Sequence, residues 1–461
     1  MLNKWNKKQY FILGMVGIVS LLFFYAFMYS DILITTSFGI NFWDILFKGE
    51  IFRFYEVCHS DINNAAYQIY NSPDYDFFIY IIFAIWNFPL WIVRKITHIN
   101  IWESALSMMW AKSLVLLFTI LTIKEIINIC RTLEISEENK NHVVLIFITS
   151  PILYMSLFVN SQYDIIYLFF MLKAFDCYLK DNIWRFVAFM AITLPIKSLS
   201  IFLFPPLLLY KEKNVLKAAL KTIVLFLPWI FFKIVFPMGE SNNGNMENIL
   251  VIFKQKLVFR EFEIPLFLLA VLILYIACYA LRAPDDENKV KNNSTIIAFL
   301  SYALFLMICP TNPYWYILLL PFQCILIGIN EDKKYISTIL ETITSICYVG
   351  MYVWILPWCF EERLVKSTYI SKIFGLRMND TDNILDVLHK LLPSVYDMAE
   401  GRAVVYFFML FLAGNIVFIV LNMRPFSNIA LQGKSTPKYI YTIRYILGLG
   451  ICMLPIIAYI L

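Results

Sequence analysis

The chain has 461 residues, of which 60% are hydrophobic and only 15% charged, and its net charge is +5. A soluble globular domain carries about 45–50% apolar and about 25% charged residues, so this composition excludes an ordinary water-soluble fold and points to a bilayer as solvent. The apolar runs are solid rather than alternating, which sets aside a β-barrel; Lys and Arg lie mostly in short loops, where they speak to orientation rather than to nucleic acid.

Lys4, Lys7 and Lys8 precede the first apolar run, Phe11 to Met28. That run is too long for a signal-peptide core and has no small-residue cleavage site. It reads as a retained first helix, and the basic residues before it place the N-terminus in the cytoplasm. A polar segment, Asp31 to Asp76, follows and is expected outside. Within it, Phe42 to Phe54 (FWDILFKGEIFRF) mixes aromatic and charged residues, as a helix lying in the membrane interface does. Further spans are expected at 108–129, 143–159, 163–179, 220–236, 264–281, 294–309, 314–329, 336–356, 402–422 and 438–460. Basic loops at Lys211 to Lys221, Arg282 to Lys291 and Lys434 to Lys438 mark the cytoplasmic side, which puts loops 237–263 and 357–401 outside. The fold class is all-α: a polytopic membrane protein of about 11–13 transmembrane helices, with re-entrant limbs and interfacial helices.

Two segments bend the topology. With Asp164 outside, residues 184–210 start and finish on the cytoplasmic side as two limbs hinged near Pro195-Ile196-Lys197, and 77–107 leaves from and returns to the outside, bending near Pro89. With Asp164 inside, both segments cross fully. The hinged arrangement is preferred, because a lysine at depth needs non-helical backbone beside a cavity or protein. No internal repeat is visible, unlike the inverted-repeat transporters. The nine cysteines form no CxxC pair. Cys177, Cys278, Cys309, Cys324 and Cys347 lie in apolar runs and read as small buried hydrophobes; Cys58 and Cys359 are loop residues, for which a bridge stays open.

Four polar groupings interrupt the apolar pattern on the expected outer face. The first is Tyr29-Ser30-Asp31. The second is Asn160-Ser161-Gln162-Tyr163-Asp164, set between Val143–Val159 and Ile165–Leu179. An ionisable residue there is costly unless it meets water, protein or a ligand, although an aspartate also serves as an ordinary helix N-cap. The third is Pro195-Ile196-Lys197-Ser198, whose lysine either snorkels or meets an anion. The fourth is Pro310-Thr311-Asn312-Pro313-Tyr314-Trp315-Tyr316, where an aromatic belt competes with a ligand-lining turn.

Together these residues resemble the GT-C superfamily of membrane glycosyltransferases, and most closely the branch that includes the GPI-anchor mannosyltransferase and bacterial surface-polysaccharide enzymes. A Gly-Gln-x-Asp-like turn of that branch is matched by Ser161-Gln162-Tyr163-Asp164, with serine in place of glycine. Its lysine-containing hinge is matched by Pro195 to Lys197, its Pro-x-x-x-Tyr-Trp element by Pro310 to Pro321, and its acidic residue after helix one by Asp31. The resemblance covers residues 1–325, a catalytic module with outer loop 30–76; residues 326–461 would be variable C-terminal helices.

The resemblance implies a hexosyl- or mannosyl-type inverting transferase of a bacterial cell membrane, acting in cell-envelope polysaccharide biosynthesis. It would take a polyprenyl-phosphate sugar as donor and a glycan or lipid-linked acceptor. Asp31 would be general base, and Asp164, also catalytic, would orient acceptor or donor hydroxyls together with Gln162. Gln162, Tyr163, Lys197, Asn312, Tyr314, Trp315 and His59 would bind substrate. No cofactor is called for, although a divalent metal stays compatible with His59 and Asp61. The alternatives are a lipid-linked glycan flippase, which would carry its charges near mid-membrane and open to both faces, and a polysaccharide polymerase or ligase.

Overall fold

The computed structural model describes residues 7–60, 73, 75–98, 104–238, 253–361, 363–366, 368–375, 383–423 and 437–461. Among these, the fold is helical apart from one two-stranded hairpin. Five helices are long and apolar enough to cross a membrane, and eight spans result if each of three bent helix pairs counts as one. Four shorter apolar helices accompany them. The chain is therefore an all-α, multi-pass membrane protein.

Helix α1 is Lys7–Tyr25 and α2 is Ser30–Phe47, turned 74° from α1. The expected interfacial helix at Phe42–Phe54 does not form. Helix α2 starts twelve residues earlier in that segment and ends at Phe47, because Gly49 takes a positive φ of 77° that favours glycine and stops a helix. A 3-10 turn at Ile51–Arg53 then leads into α3, Phe54–Ser60. Helices α4 (Phe77–Trp86) and α5 (Phe88–Thr97) meet at 63°, with Pro89 at the start of α5. Gly39 of α2 packs directly on the α4 backbone, leaving no room for a side chain at Phe83 and Ala84.

Helix α6 (Ala105–Thr132) is the longest, and α7 (Glu137–Ile148) returns beside it. Ser150 and Pro151 start α8 (Pro151–Leu153), which continues as a π-helix over Tyr154–Val159. Such wide turns are rare and frequent at functional sites. Helix α9 is Asp164–Leu179, α10 is Ile183–Thr193 and α11 is Phe204–Lys211, with a 3-10 turn at Ser198–Phe202 between the last two. Helix α12 (Val215–Val235) contains Pro228. Strands β1 (Lys256–Phe259) and β2 (Phe262–Pro265) lead into α13 (Leu266–Ala280), followed by α14 (Glu287–Ile308), a 3-10 turn at Pro313–Leu318 and α15 (Leu320–Ile329). Helix α16 is Lys334–Ile355; the short helices α17 (Arg363–Lys366), α18 (Tyr369–Phe374), α19 (Ile384–Leu391) and α20 (Pro393–Ala399) precede α21 (Ala403–Asn422) and α22 (Tyr439–Ile460).

Lysines collect at one end of the bundle and close helix C-termini there, where carbonyls lack partners and the dipole is negative. Lys211 donates to the Tyr178 carbonyl at 2.8 Å and to Asp181 at 2.7 Å, Lys213 to the carbonyls of Cys278 and Tyr279, and Lys333 to that of Leu421. The Lys211 contacts bring the end of α11 back to the end of α9, so α10 and α11 are two limbs joined by the turn around Pro195. Segment 77–97 stays at the opposite end: Trp86 stacks on Trp110, in the first two turns of α6, at 5.2 Å.

One hydrophobic cluster runs from Phe24 to Tyr459, so residues 326–461 share the core of the preceding helices. A buried ion pair between Arg444 of α22 and Glu341 of α16 joins them to α7 and α8: Arg444 also donates to the Ile146 carbonyl and Thr149, and Ser150 donates to Glu341. All nine cysteines are buried and none forms a disulfide, Cys58 and Cys359 included.

Candidate active site

At the end of the bundle away from the lysines, several breaks in the helices lie side by side. Irregular backbone at membrane depth must find partners inside the protein, and it does. The break between α1 and α2 is held by Met28 N–H donating to the Leu364 carbonyl at 2.7 Å and by Thr368 donating to the Ala26 carbonyl at 2.9 Å. The fully buried ammonium of Lys112 donates to the carbonyls of Phe27 at 2.7 Å and Phe158 at 2.6 Å, and it sits 4.7 Å from the Phe24 ring. Ser161 donates to the same Phe27 carbonyl at 3.2 Å. Lysine 112 thus ties the break that presents Asp31 to the π-helix that presents Gln162.

The π-helix ends with Asn160 N–H bonding the Met155 carbonyl and Gln162 N–H bonding the Ser156 carbonyl. Ser161 then takes φ 48°, a left-handed conformation that glycine adopts most readily. This turn aims Gln162 at α2, and its Nε2 donates to Asp31 Oδ2 at 3.0 Å. Tyr75 also hydrogen-bonds the half-buried Asp31 carboxylate. Its backbone is fixed by Tyr55 Oη donating to its carbonyl and by its own N–H reaching Tyr80 Oη.

Asp164 opens α9 and is almost fully buried. Lys197 reaches it from the turn between the two limbs, with Nζ 2.6 Å from both carboxylate oxygens. The same ammonium lies 4.5 Å from the Trp315 ring centre and 5.9 Å from that of Tyr314, a favourable placement over an aromatic face. The Asp31 carboxylate lies within electrostatic reach of both Asp164 and Lys197. Trp315 stacks on Phe305, while its buried indole N–H finds no hydrogen-bond partner among the described residues. Tyr314 meets Tyr29 edge-on, and Tyr29 stacks on Trp358.

The residues singled out in sequence therefore converge: Asp31 with Gln162, Asp164 with Lys197, and Tyr314 and Trp315 beside the lysine. Tyr163 is buried between Tyr75 and Phe83 and packs rather than opening to the site. Asn312 contributes its carbonyl, which accepts from Trp315 N–H. The side chain of His59, and all of Asp61, lie outside the described residues. Asp76 is drawn toward α12, where Lys233 pairs with it at 2.5 Å. Tyr75, Lys112 and Trp358 belong to the site and escaped the sequence reading. No group of three or more His, Cys, Asp or Glu able to hold a metal occurs among the described residues. The carboxylates of Asp31 and Asp164 face an amide, a phenol and an ammonium, a set that does not fit a divalent ion.

An acid with two neutral donors, beside a second acid neutralised by a lysine, can take up a proton at one point and meet an anion at another. The fold and this cluster define a multi-pass helical membrane protein with a polar site at one end of its bundle. No family model, curated protein or solved structure matches the chain.

Proposed function

We propose that this protein is an integral-membrane glycosyltransferase that moves a sugar from a polyprenyl-phosphate donor to a hydroxyl of a glycan or lipid-linked acceptor. One observation carries this reading: Asp31, Gln162, Asp164, Lys197 and Trp315, drawn from four separate stretches of chain, meet in one cluster. Intramembrane ionisable groups mark functional sites by default, and this set suits displacement of a phosphate. The acceptor oxygen attacks the anomeric carbon, and Asp31 takes the hydroxyl proton. The bond from the anomeric carbon to the phosphate oxygen breaks, and its electron pair leaves on polyprenyl phosphate. A single displacement inverts the anomeric centre.

Asp31 needs to be oriented and unpaired by cations, and Gln162 and Tyr75 hold it by neutral donors. General-base help of this kind contributes about 10²–10⁴-fold. The phosphate leaves toward Lys197. An ammonium has three donors; Asp164 engages it through both oxygens and fixes it in place, with a donor left for the anion. Fixed charge aimed at a developing anion acts most strongly where water is excluded. Trp315 and Tyr314 would flank the sugar or the lipid. With the lysine-rich end toward the cytoplasm, the N-terminus is cytoplasmic and the site lies on the extracytoplasmic face. A bacterial plasma membrane, with a surface polysaccharide as product, fits this orientation.

The test is transfer in detergent from a labelled polyprenyl-phosphate sugar to candidate lipid-linked acceptors. Asp31→Asn should lower turnover by about 10²-fold or more while the protein remains folded. Unaltered transfer removes Asp31 from the mechanism, and counterflow of a lipid-linked glycan without transfer favours a flippase.

A further inference from the structure

The hairpin between α12 and α13 is amphipathic in a way the surrounding fold does not use. Its register pairs Leu257 with Ile264 and Phe259 with Phe262. Residues directly opposite share a face, as do residues two apart, so Leu257, Phe259, Phe262 and Ile264 form one apolar face. The other face carries Lys256, Val258 and Glu263, and Lys256 pairs with Glu263 across it. An isolated two-stranded hairpin is marginal in water, and this one leaves its apolar face uncovered: Leu257 is 47%, Phe259 59% and Phe262 69% exposed.

The surroundings say what covers it. Leu266 N–H donates to the Gln255 carbonyl at 2.9 Å, fixing the hairpin to the first turn of α13. That helix presents Leu266, Leu272, Ile273 and Ile276 outward, and α12 presents Ile223, Leu227, Ile230, Phe231 and Ile234 outward. In a membrane protein these are lipid-facing surfaces, and the hairpin is continuous with them at the end of the bundle that holds Asp31. Its tip carries Arg260, in a left-handed conformation at φ 55°, with its guanidinium 5.7 Å from the Phe259 ring. Aromatic rings with a cation beside them suit the headgroup level, where the ring is half in hydrocarbon and the charge meets phosphate.

We infer that the hairpin docks on the bilayer, with Leu257, Phe259, Phe262 and Ile264 sunk into the interface and Arg260 among the lipid headgroups. The hairpin would then fix the depth of the adjoining helices at the end where the site opens. This inference rests on the membrane fold and is independent of the catalytic reading.

The native cysteines are all buried, so a single introduced thiol reacts selectively with a bimane fluorophore. Variants Leu257→Cys, Phe259→Cys and Phe262→Cys report one face; Lys256→Cys, Val258→Cys and Glu263→Cys report the other. In nanodiscs of phosphatidylcholine and phosphatidylglycerol, doxyl-labelled lipid should quench the first three strongly and shift their emission to the blue. Aqueous iodide should quench the second three. Iodide quenching of both faces would overturn the inference. So would protection of 257, 259 and 262 from both quenchers, which would instead assign the face to a second copy or another protein. Circular dichroism of each labelled variant checks that the helical fold is kept.

Discussion

Removing the Lys197 ammonium should destabilise the protein more than removing the Asp164 carboxylate, although the two form one ion pair. The reason is unequal burial. The Asp164 side chain is 1% exposed and that of Lys197 16%. Lys197→Met leaves a carboxylate with no counter-charge in a dry site, which costs about 3–5 kcal/mol. Asp164→Asn leaves an ammonium that keeps some water and the Trp315 face 4.5 Å away, so the cost falls to about 1–3 kcal/mol. In the double variant no buried charge is stranded, and its cost should be close to that of Asp164→Asn alone. The coupling energy then equals the Lys197→Met cost in magnitude, about 3–5 kcal/mol, at or above the upper end of what contacting residues show. Reversible unfolding of the purified protein in mixed micelles of increasing dodecyl sulfate content measures all four corners of the cycle. Additive single costs, or equal costs for the two singles, would refute the reasoning.

Two further outcomes concern the backbone around the site. At Gly39 an added Cβ lies 2.8 Å from the Phe83 carbonyl carbon and 2.9 Å from Ala84 N, atoms that cannot step aside, so Gly39→Ala should cost about 1–3 kcal/mol and lower transfer by displacing α2 and Asp31. Gly17→Ala meets nothing within 4 Å and should stabilise by about 0.5–1 kcal/mol; the same unfolding titration compares them, and equal behaviour would contradict the packing argument. Lys112→Met strips a donor from the Phe158 carbonyl while Phe27 keeps Ser161, for a cost of about 1–3 kcal/mol. As a positioning residue, Lys112 should affect transfer by raising KM and lowering kcat together. Loss of stability with unchanged kinetics would leave it a structural role only.

Most of the architecture was legible because a membrane helix is written in composition. Runs such as 402–422 and 438–460 stand within a residue or two of α21 and α22, since nothing but a helix satisfies the backbone in hydrocarbon. The charged positions at 31, 164 and 197 were legible for the same reason: each is expensive in its apolar surroundings. Lys112 carries the same signal: a lysine followed by Ser-Leu-Val-Leu-Leu-Phe breaks an apolar run and marks a buried donor. Glu341 and Arg444 carried the same signal 103 residues apart, and only packing reveals that they are partners.

Other features had no sequence signal of useful strength. Tyr75 reaches Asp31 through contacts with Tyr55 and Tyr80, and no periodicity marks it in the sequence. The break between α1 and α2 contains neither Pro nor Gly; its stability comes from Leu364, Thr368 and Lys112, distant in sequence. The aromatic and charged alternation of Phe42–Phe54 runs across Gly49, whose left-handed φ ends the helix and leaves no single interfacial helix there. Ser161 is the opposite case. Its φ of 48° is a left-handed conformation that glycine adopts most readily, met here by a residue that gains a hydrogen bond to the Phe27 carbonyl in return.

The most direct measurement is the structure of the protein in a lipid nanodisc with a polyprenyl-phosphate sugar bound. The account predicts the phosphate against Lys197 Nζ beside Trp315, with the anomeric carbon turned toward Asp31. A headgroup seated elsewhere on the protein, or Asp31 and Lys197 facing opposite sides of the membrane, would contradict it.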